Sequence, residues 1–160
     1  MTKHSETKSL PYTAQQMYDL VGDIEQYPKF IPWCSAARIR TRTQSGDHEV
    51  VDADLVISFK VFREKFGSRV RLWETDRRIE TRYMDGPFKH MRSEWAFADT
   101  DAGCDVSFFV DFEFRNPLLQ SVVGVVFYDA MQRIVRAFER RAAELYGASA
   151  SAPASKRSAT

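Results

Sequence analysis

Few residues of this 160-residue chain are spaced for chemistry. His4, His48 and His90 are the only histidines, in a predicted edge strand, a turn and a turn, and none stands at HExxH or related metal-ligand spacing. Cys34 and Cys104 are far apart and read as free buried thiols in a reducing compartment. No nucleophile elbow, phosphate loop or dinucleotide fingerprint is present. Asp52, Asp54, Asp111 and Glu113 fall in outward register and make no convincing acid/base pair. Glu64, within FREKF, is the one acid in an apolar setting; pairing with Arg63 or Lys65 and a place at a pocket rim both stay open. These residue types make only weak catalytic constellations, with no metal-ligand set and no fingerprint of a required cofactor.

The elements that would position a binding site begin with residues 116–147, NPLLQSVVGVVFYDAMQRIVRAFERRAAELYG. Asn116 is a good N-cap, Pro117 suits the first helical position, and Gly147 can end a helix in left-handed geometry. Pro117 to Tyr146 predicts roughly 45 Å of helix. Leu119, Val123, Phe127, Ala130, Ile134, Phe138 and Leu145 form one apolar stripe. Leu118 to Phe127 is apolar almost all round, so this half must meet a second apolar surface: loops, ligand or lipid. Gly124 marks a bend or a close approach.

Upstream, Thr2–Leu10 fits an edge strand, Thr13 caps a short helix over Ala14–Val21, and Asp23 starts a second turn reaching Tyr27. YPKFIPWC, Tyr27–Cys34, is too apolar and stiff for a free loop and reads as a buried hinge. The period then changes to two. Arg38, Arg40 and Arg42 alternate with Ala37, Ile39 and Thr41; Val51, Ala53, Leu55, Ile57 and Phe59 share the inner face of the next strand, with Asp52 and Asp54 opposite the arginines. FKVFREKF, Phe59–Phe66, reads as an aromatic-rich connection, and Asp85–Phe88 as a turn tipped by an aromatic ring. Four more strands carry Ser68–Leu72, Ile79–Tyr83, Met91–Phe97 and Val106–Phe114. Short turns between successive strands imply an antiparallel meander covered by the terminal helix, an α+β arrangement in one domain, 1–147, with a disordered tail, 148–160.

The inward rows are dense in large rings and poor in polar groups, Ser68, Thr81, Tyr83 and Ser93 excepted. Such rows fit a solid core or a cavity for an apolar guest, and both stay open on the residues alone. Net charge is +1, which gives no global attraction to nucleic acid. The N-terminus has no apolar leader and no apolar run approaches the 18 or so residues of a spanning helix, so the expected location is the cytoplasm, with peripheral contact at the inner face of the cell membrane left open.

Five segments in order carry a resemblance: YPKFIPWC, FKVFREKFGSRV (59–70), DGPFKHM (85–91), DFEFRNPLL (111–119) and AFERRAAELYG (137–147). The chain resembles the START-like helix-grip superfamily in its polyketide-cyclase/dehydrase branch, and within it the coenzyme-Q-binding proteins, a subfamily that includes the ribosome-association toxins. Met91 and Ser93 stand where that pattern has Leu and Asn. The resemblance implies a curved antiparallel sheet of about seven strands gripping the terminal helix, with two short helices after the first strand. It implies a non-enzymatic binder or chaperone of ubiquinone or a similar polyprenyl lipid that supports respiration. Respiratory complexes are further partners, and the alternatives are ribosome binding through Arg38, Arg40 and Arg42 and, ranked last, polyketide cyclase/aromatase chemistry. Carried onto this chain, the cavity wall would be Phe59, Phe66, Tyr83, Met91, Trp95, Phe112, Phe114, Val123, Phe127 and Met131. The mouth, meeting membrane, would be Val61, Phe62, Pro87, Phe88, Leu118 and Leu119, with Arg63, Lys65 and Lys89 beside it for anionic headgroups.

Overall fold

A computed structural model describes residues 2–151, with the side chains of residues 2–147. Seven strands form one sheet: β1 (Thr2–Leu10), β2 (Cys34–Ser45), β3 (His48–Phe59), β4 (Phe62–Trp73), β5 (Arg78–Asp85), β6 (Phe88–Thr100) and β7 (Gly103–Phe114). Their order across the sheet is β1-β7-β6-β5-β4-β3-β2, and every pairing is antiparallel. Strands β2 to β7 are a meander, because connections this short can only turn the chain back. β1 returns to lie along β7, with Thr2 opposite Phe112 and Leu10 opposite Cys104. Between β1 and β2 come α1 (Ala14–Gly22) and a 3-10 helix (Ile24–Lys29); α2 (Pro117–Ser151) follows β7 and is broken at Gly147, where φ is 27°.

Local rules set the boundaries. Gln16 N donates to Thr13 Oγ1 at 3.0 Å and Thr13 N to Gln16 Oε1 at 2.9 Å, a reciprocal capping box. Asn116 Oδ1 accepts from the amides of Leu118 and Leu119 at 2.9 and 3.2 Å and so satisfies the free first turn of α2. The β5–β6 turn requires glycine: Gly86 has φ 134°, and a Cβ there would lie 2.7 Å from Phe66 Cβ. Register shifts break the pairing twice in β2, at Gly67/Ser68 and at Phe88/His90. Such irregularities bend strands and deepen twist, which curls the sheet around α2.

The interior is packed in two separate clusters. One joins α1, the middle strands and the later part of α2 through Met17, Val21, Leu72, Ile79, Phe97, Phe138 and Ala142. The other, at the start of α2, joins Phe66, Phe88, Phe114 and Leu119. On the outer face, Arg40 Nε donates to Asp54 Oδ1 at 2.9 Å and its Nη2 reaches Asp85 Oδ1 at 3.2 Å, which ties β2 across β3 to β5. The Arg40 guanidinium holds the buried Asp54 carboxyl below the usual carboxylate range, and Arg69 does the same for Asp52.

Several expectations are corrected. FKVFREKF is not a connection: β3 and β4 meet in a tight hairpin with Phe59 opposite Phe62, and only Lys60 and Val61 turn. Period-two alternation runs on through Phe62, Glu64 and Phe66, masked in the sequence by the acid in its inward row. Leu145 is half-exposed; Ala137, Ala142 and Tyr146 take that part of the helix inward, since drift at 3.6 residues per turn rotates the stripe. The helix does break at Gly147, as expected of that residue, but a second helical stretch follows to Ser151 where a disordered tail was expected, and 152–160 lies outside the described residues.

Two outcomes test this packing. Phe138→Ala, which removes a buried ring wedged against Tyr27, Phe30 and Trp95, should cost about 3–5 kcal/mol in chemical denaturation. Asp54→Asn should lower Tm at pH 7 by roughly 3–6 °C. A depressed folded-state pKa stabilises above the unfolded value near 3.9 and is lost as pH falls through the folded one. The gap between wild type and variant should therefore close in melts taken from pH 4 down to pH 2; a constant gap would refute the pairing.

Candidate ligand cavity

A cavity of about 290 Å³ lies between the two clusters. Alternation aims Leu55, Ile57 and Phe59 of β3, Phe62, Glu64, Phe66 and Ser68 of β4, Thr81 of β5, Phe88, Met91, Ser93 and Trp95 of β6, and Phe108, Val110, Phe112 and Phe114 of β7 at it. Leu119, Val123, Val126, Phe127, Ala130, Met131, Ile134 and Phe138 of α2 close it at helical spacing. At one end Phe138 meets Trp95 edge-on at 5.1 Å. At the other, Phe88 stacks on Phe114 at 4.5 Å and meets Phe66 edge-on at 5.1 Å. Phe59, Phe62, Met91, Trp95 and Phe112 face inward yet stay only half-buried, because the space they face is unfilled.

Nine of the ten predicted wall residues line this space: Phe59, Phe66, Met91, Trp95, Phe112, Phe114, Val123, Phe127 and Met131. Tyr83 does not. Its ring packs edge-on against Phe88 at 5.4 Å and its hydroxyl oxygen accepts from Phe88 N at 3.3 Å, which places it behind the wall. The predicted mouth divides. Phe88, 3% exposed, and Leu119 are interior, because β6 begins at Phe88 and turns its ring into the cluster. Pro87 is half-buried and outside the lining, its carbonyl accepting from Arg115 N at 2.8 Å. Phe62 lines the cavity beside Val61, which is 91% exposed at the hairpin tip. Leu118, Val125 and Tyr128 are 64, 84 and 71% exposed, so among the described residues no loop covers the outer stripe of early α2. By length and composition α2 reaches the range of a spanning helix, with mean hydropathy 1.2 over its best 18-residue window, although no unbroken apolar run of that length exists.

One wall went unseen in the sequence. Tyr27, Ile31, Pro32, Trp33 and Cys34 of the hinge line the cavity, with Trp33 in left-handed geometry at φ 68° and its ring edge-on to Phe59 at 5.6 Å. The apolar, proline-bracketed composition of YPKFIPWC was the available signal. Burial pushes the Cys34 thiol up to about 11, so it stays protonated and unreactive at neutral pH. Tyr27 donates its hydroxyl to the carbonyl of Val21.

Polar groups in the wall are few. Glu64, Ser68, Thr81 and Ser93 face the cavity and form no side-chain hydrogen bond or ion pair among the described residues. Ser68 is only 2% exposed. Arg63 and Lys65, the neighbours that might have paired with Glu64, alternate to the outer face, where Arg63 Nη1 donates to Ser58 Oγ at 3.4 Å and Lys65 lies 4.0 Å from Asp54. The site can hold an apolar body by area burial and orient it by a small number of hydrogen bonds.

Comparison with known proteins agrees with this architecture. A family model described as polyketide cyclase / dehydrase and lipid transport matches residues 10–139. The chain is 38% identical to a ribosome association toxin, RatA, of Rickettsia prowazekii, over 91% of this chain and 99% of that one. It is 31% identical to a mitochondrial coenzyme Q-binding protein, COQ10 homolog B, of Xenopus laevis, over 91% of this chain and 59% of that one. The solution structure of an 18 kDa protein from Caulobacter crescentus superposes with a TM-score of 0.77 at 36% identity, over 92% of this chain and all of that one.

If the wall hydroxyls have no protein partner, removing one leaves nothing unsatisfied. Thr81→Val should leave stability unchanged or raise it by up to about 1 kcal/mol in denaturant titrations. A clear loss would show that the hydroxyl is bonded within the protein.

Proposed function

Since the chain belongs to the polyketide cyclase/dehydrase and lipid transport family and has its START-like fold, we propose that it is a non-enzymatic carrier or chaperone for ubiquinone or a similar polyprenyl lipid, supporting respiratory electron transport. The observation that carries this reading is the apolar cavity between sheet and helix, bordered by uncovered apolar side chains. At about 290 Å³ the space sits at the lower edge of ligand pockets. It takes a ring and the first isoprenoid units, and the remaining tail stays along the outer stripe or in the bilayer. Val61, Leu118, Val125 and Tyr128 form the surface that meets the membrane, on its cytoplasmic face, with Lys60 and Arg63 of the hairpin toward anionic headgroups. The coenzyme Q-binding relative supports the same ligand class.

A second reading, association with the ribosome, is favoured by the full-length match to proteins named for it. The three arginines expected to carry it stand beside acids of the sheet. Arg40 is held by Asp54 and Asp85, Arg42 by Glu49 at 3.1 Å, and Arg38 lies 3.7 Å from Asp54.

Organic extraction of protein purified from its own host, followed by mass spectrometry, should recover a quinone or polyprenyl lipid. Val123→Trp, which puts a ring into the cavity from α2, should recover at least tenfold less while remaining folded. Absence of lipid from wild type, together with no binding of added quinone, would refute the carrier reading. Salt-sensitive co-sedimentation with the large ribosomal subunit, unchanged in Val123→Trp, would establish the second reading instead.

A further inference from the structure

Among the described residues, Glu64 is the only charged side chain in the cavity wall. It stands in β4 opposite Ile57 of β3, between Phe62 and Phe66 on the same inward row. No lysine, arginine or histidine faces it from hinge, sheet or helix, since none is among the lining residues. The nearest cations in sequence, Arg63 and Lys65, are engaged on the outer face. An unpaired carboxylate against aromatic walls is costly, and the cost falls when a donor from a ligand reaches it. Glu64 is half-buried, and its carboxylate is a charged acceptor that a guest's polar end would meet in this wall.

A carboxylate accepts hydrogen bonds and cannot donate them, whereas the hydroxyls of Ser68, Thr81 and Ser93 can do either. Ser68 lies four residues along β4, roughly 13 Å away, so one ring cannot touch both. The indole N–H groups of Trp33 and Trp95 only donate, so among the lining side chains Glu64 is the charged, acceptor-only group that favours a donor head. The carbonyl oxygens of an oxidised quinone would oppose it acceptor to acceptor; the hydroxyls of a reduced ring would satisfy it. Resting on the carrier reading above, we propose that the cavity is selective for the reduced, hydroxyl-bearing head, a hydroquinone or comparable phenol, held by the Glu64 carboxylate between Phe62 and Phe66. The protein would then hold its lipid in the form that gives up electrons, shielded from water.

The test is anaerobic titration of wild type, followed by tryptophan fluorescence, with decylubiquinone and separately with its chemically reduced quinol. Wild type should bind the quinol at least about tenfold more tightly, the discrimination of one charge-assisted hydrogen bond. In Glu64→Gln, whose amide also donates, and in Glu64→Leu, the two affinities should come within about twofold, chiefly through loss of quinol binding; circular dichroism checks that both fold. Equal wild-type affinities, or a preference that survives both substitutions, would overturn the assignment and leave the carrier reading intact. Binding of neither form to wild type would overturn both. The wild-type comparison stands even if a variant fails to fold.

Discussion

One helix has to cover the concave face of seven strands. α2 supplies a single inward stripe, which reaches the sheet through Leu119 with the Phe66–Phe88–Phe114 group at one end, Phe127 against Phe112 and His4 along its length, and Phe138 at the other end. Between sheet and helix the side chains leave a space of about 290 Å³ unfilled. The cavity follows from this geometry. Close packing is the rule for interiors, so large rings left half-exposed toward an inner space mark room that the protein's own side chains do not fill.

The outer face is built to hold that curvature. Strand β2 is an edge strand and carries the hinge that forms one wall, so its position matters to the cavity. It is fixed by Arg40, which bonds Asp54 on the adjacent β3 and reaches Asp85 of β5 beyond. Gly67 makes the crossing possible, because a Cβ there would lie 2.5 Å from Arg40 Nη2. The charges that look like a basic face in one dimension are thus largely spent on holding the sheet together. Partly shielded pairs of this kind fix geometry more reliably than they attract a distant partner.

Apolar surface is distributed in an unusual way. The inner stripe of α2 faces the cavity, while Leu118, Val125 and Tyr128 face outward, so early α2 is apolar on both sides and covered on one. The β3–β4 hairpin adds Val61 next to the wall residue Phe62. A continuous apolar path from an inner pocket to an outer patch is what transfer of a lipid from a bilayer requires.

The amino-acid sequence by itself determined the strand and helix order, the inward rows and the caps at Thr13 and Asn116, because period, turn residues and capping are local properties. It also placed most of the wall, since alternation decides which residues share a face. Other features depended on contacts between segments far apart in the chain. Phe88 looked like a turn tip until β7 and α2 supplied rings for it to stack on, and Tyr83 was in the right row but was screened by that same ring. The hinge became a wall only when β2 and β3 brought Trp33 against Phe59. Glu64 could have been paired from its neighbours alone; strand alternation turned those neighbours outward and left the acid facing the cavity. Whether the inner face was filled or open depended on how far a bent sheet stands from its helix, a distance that no local pattern encodes.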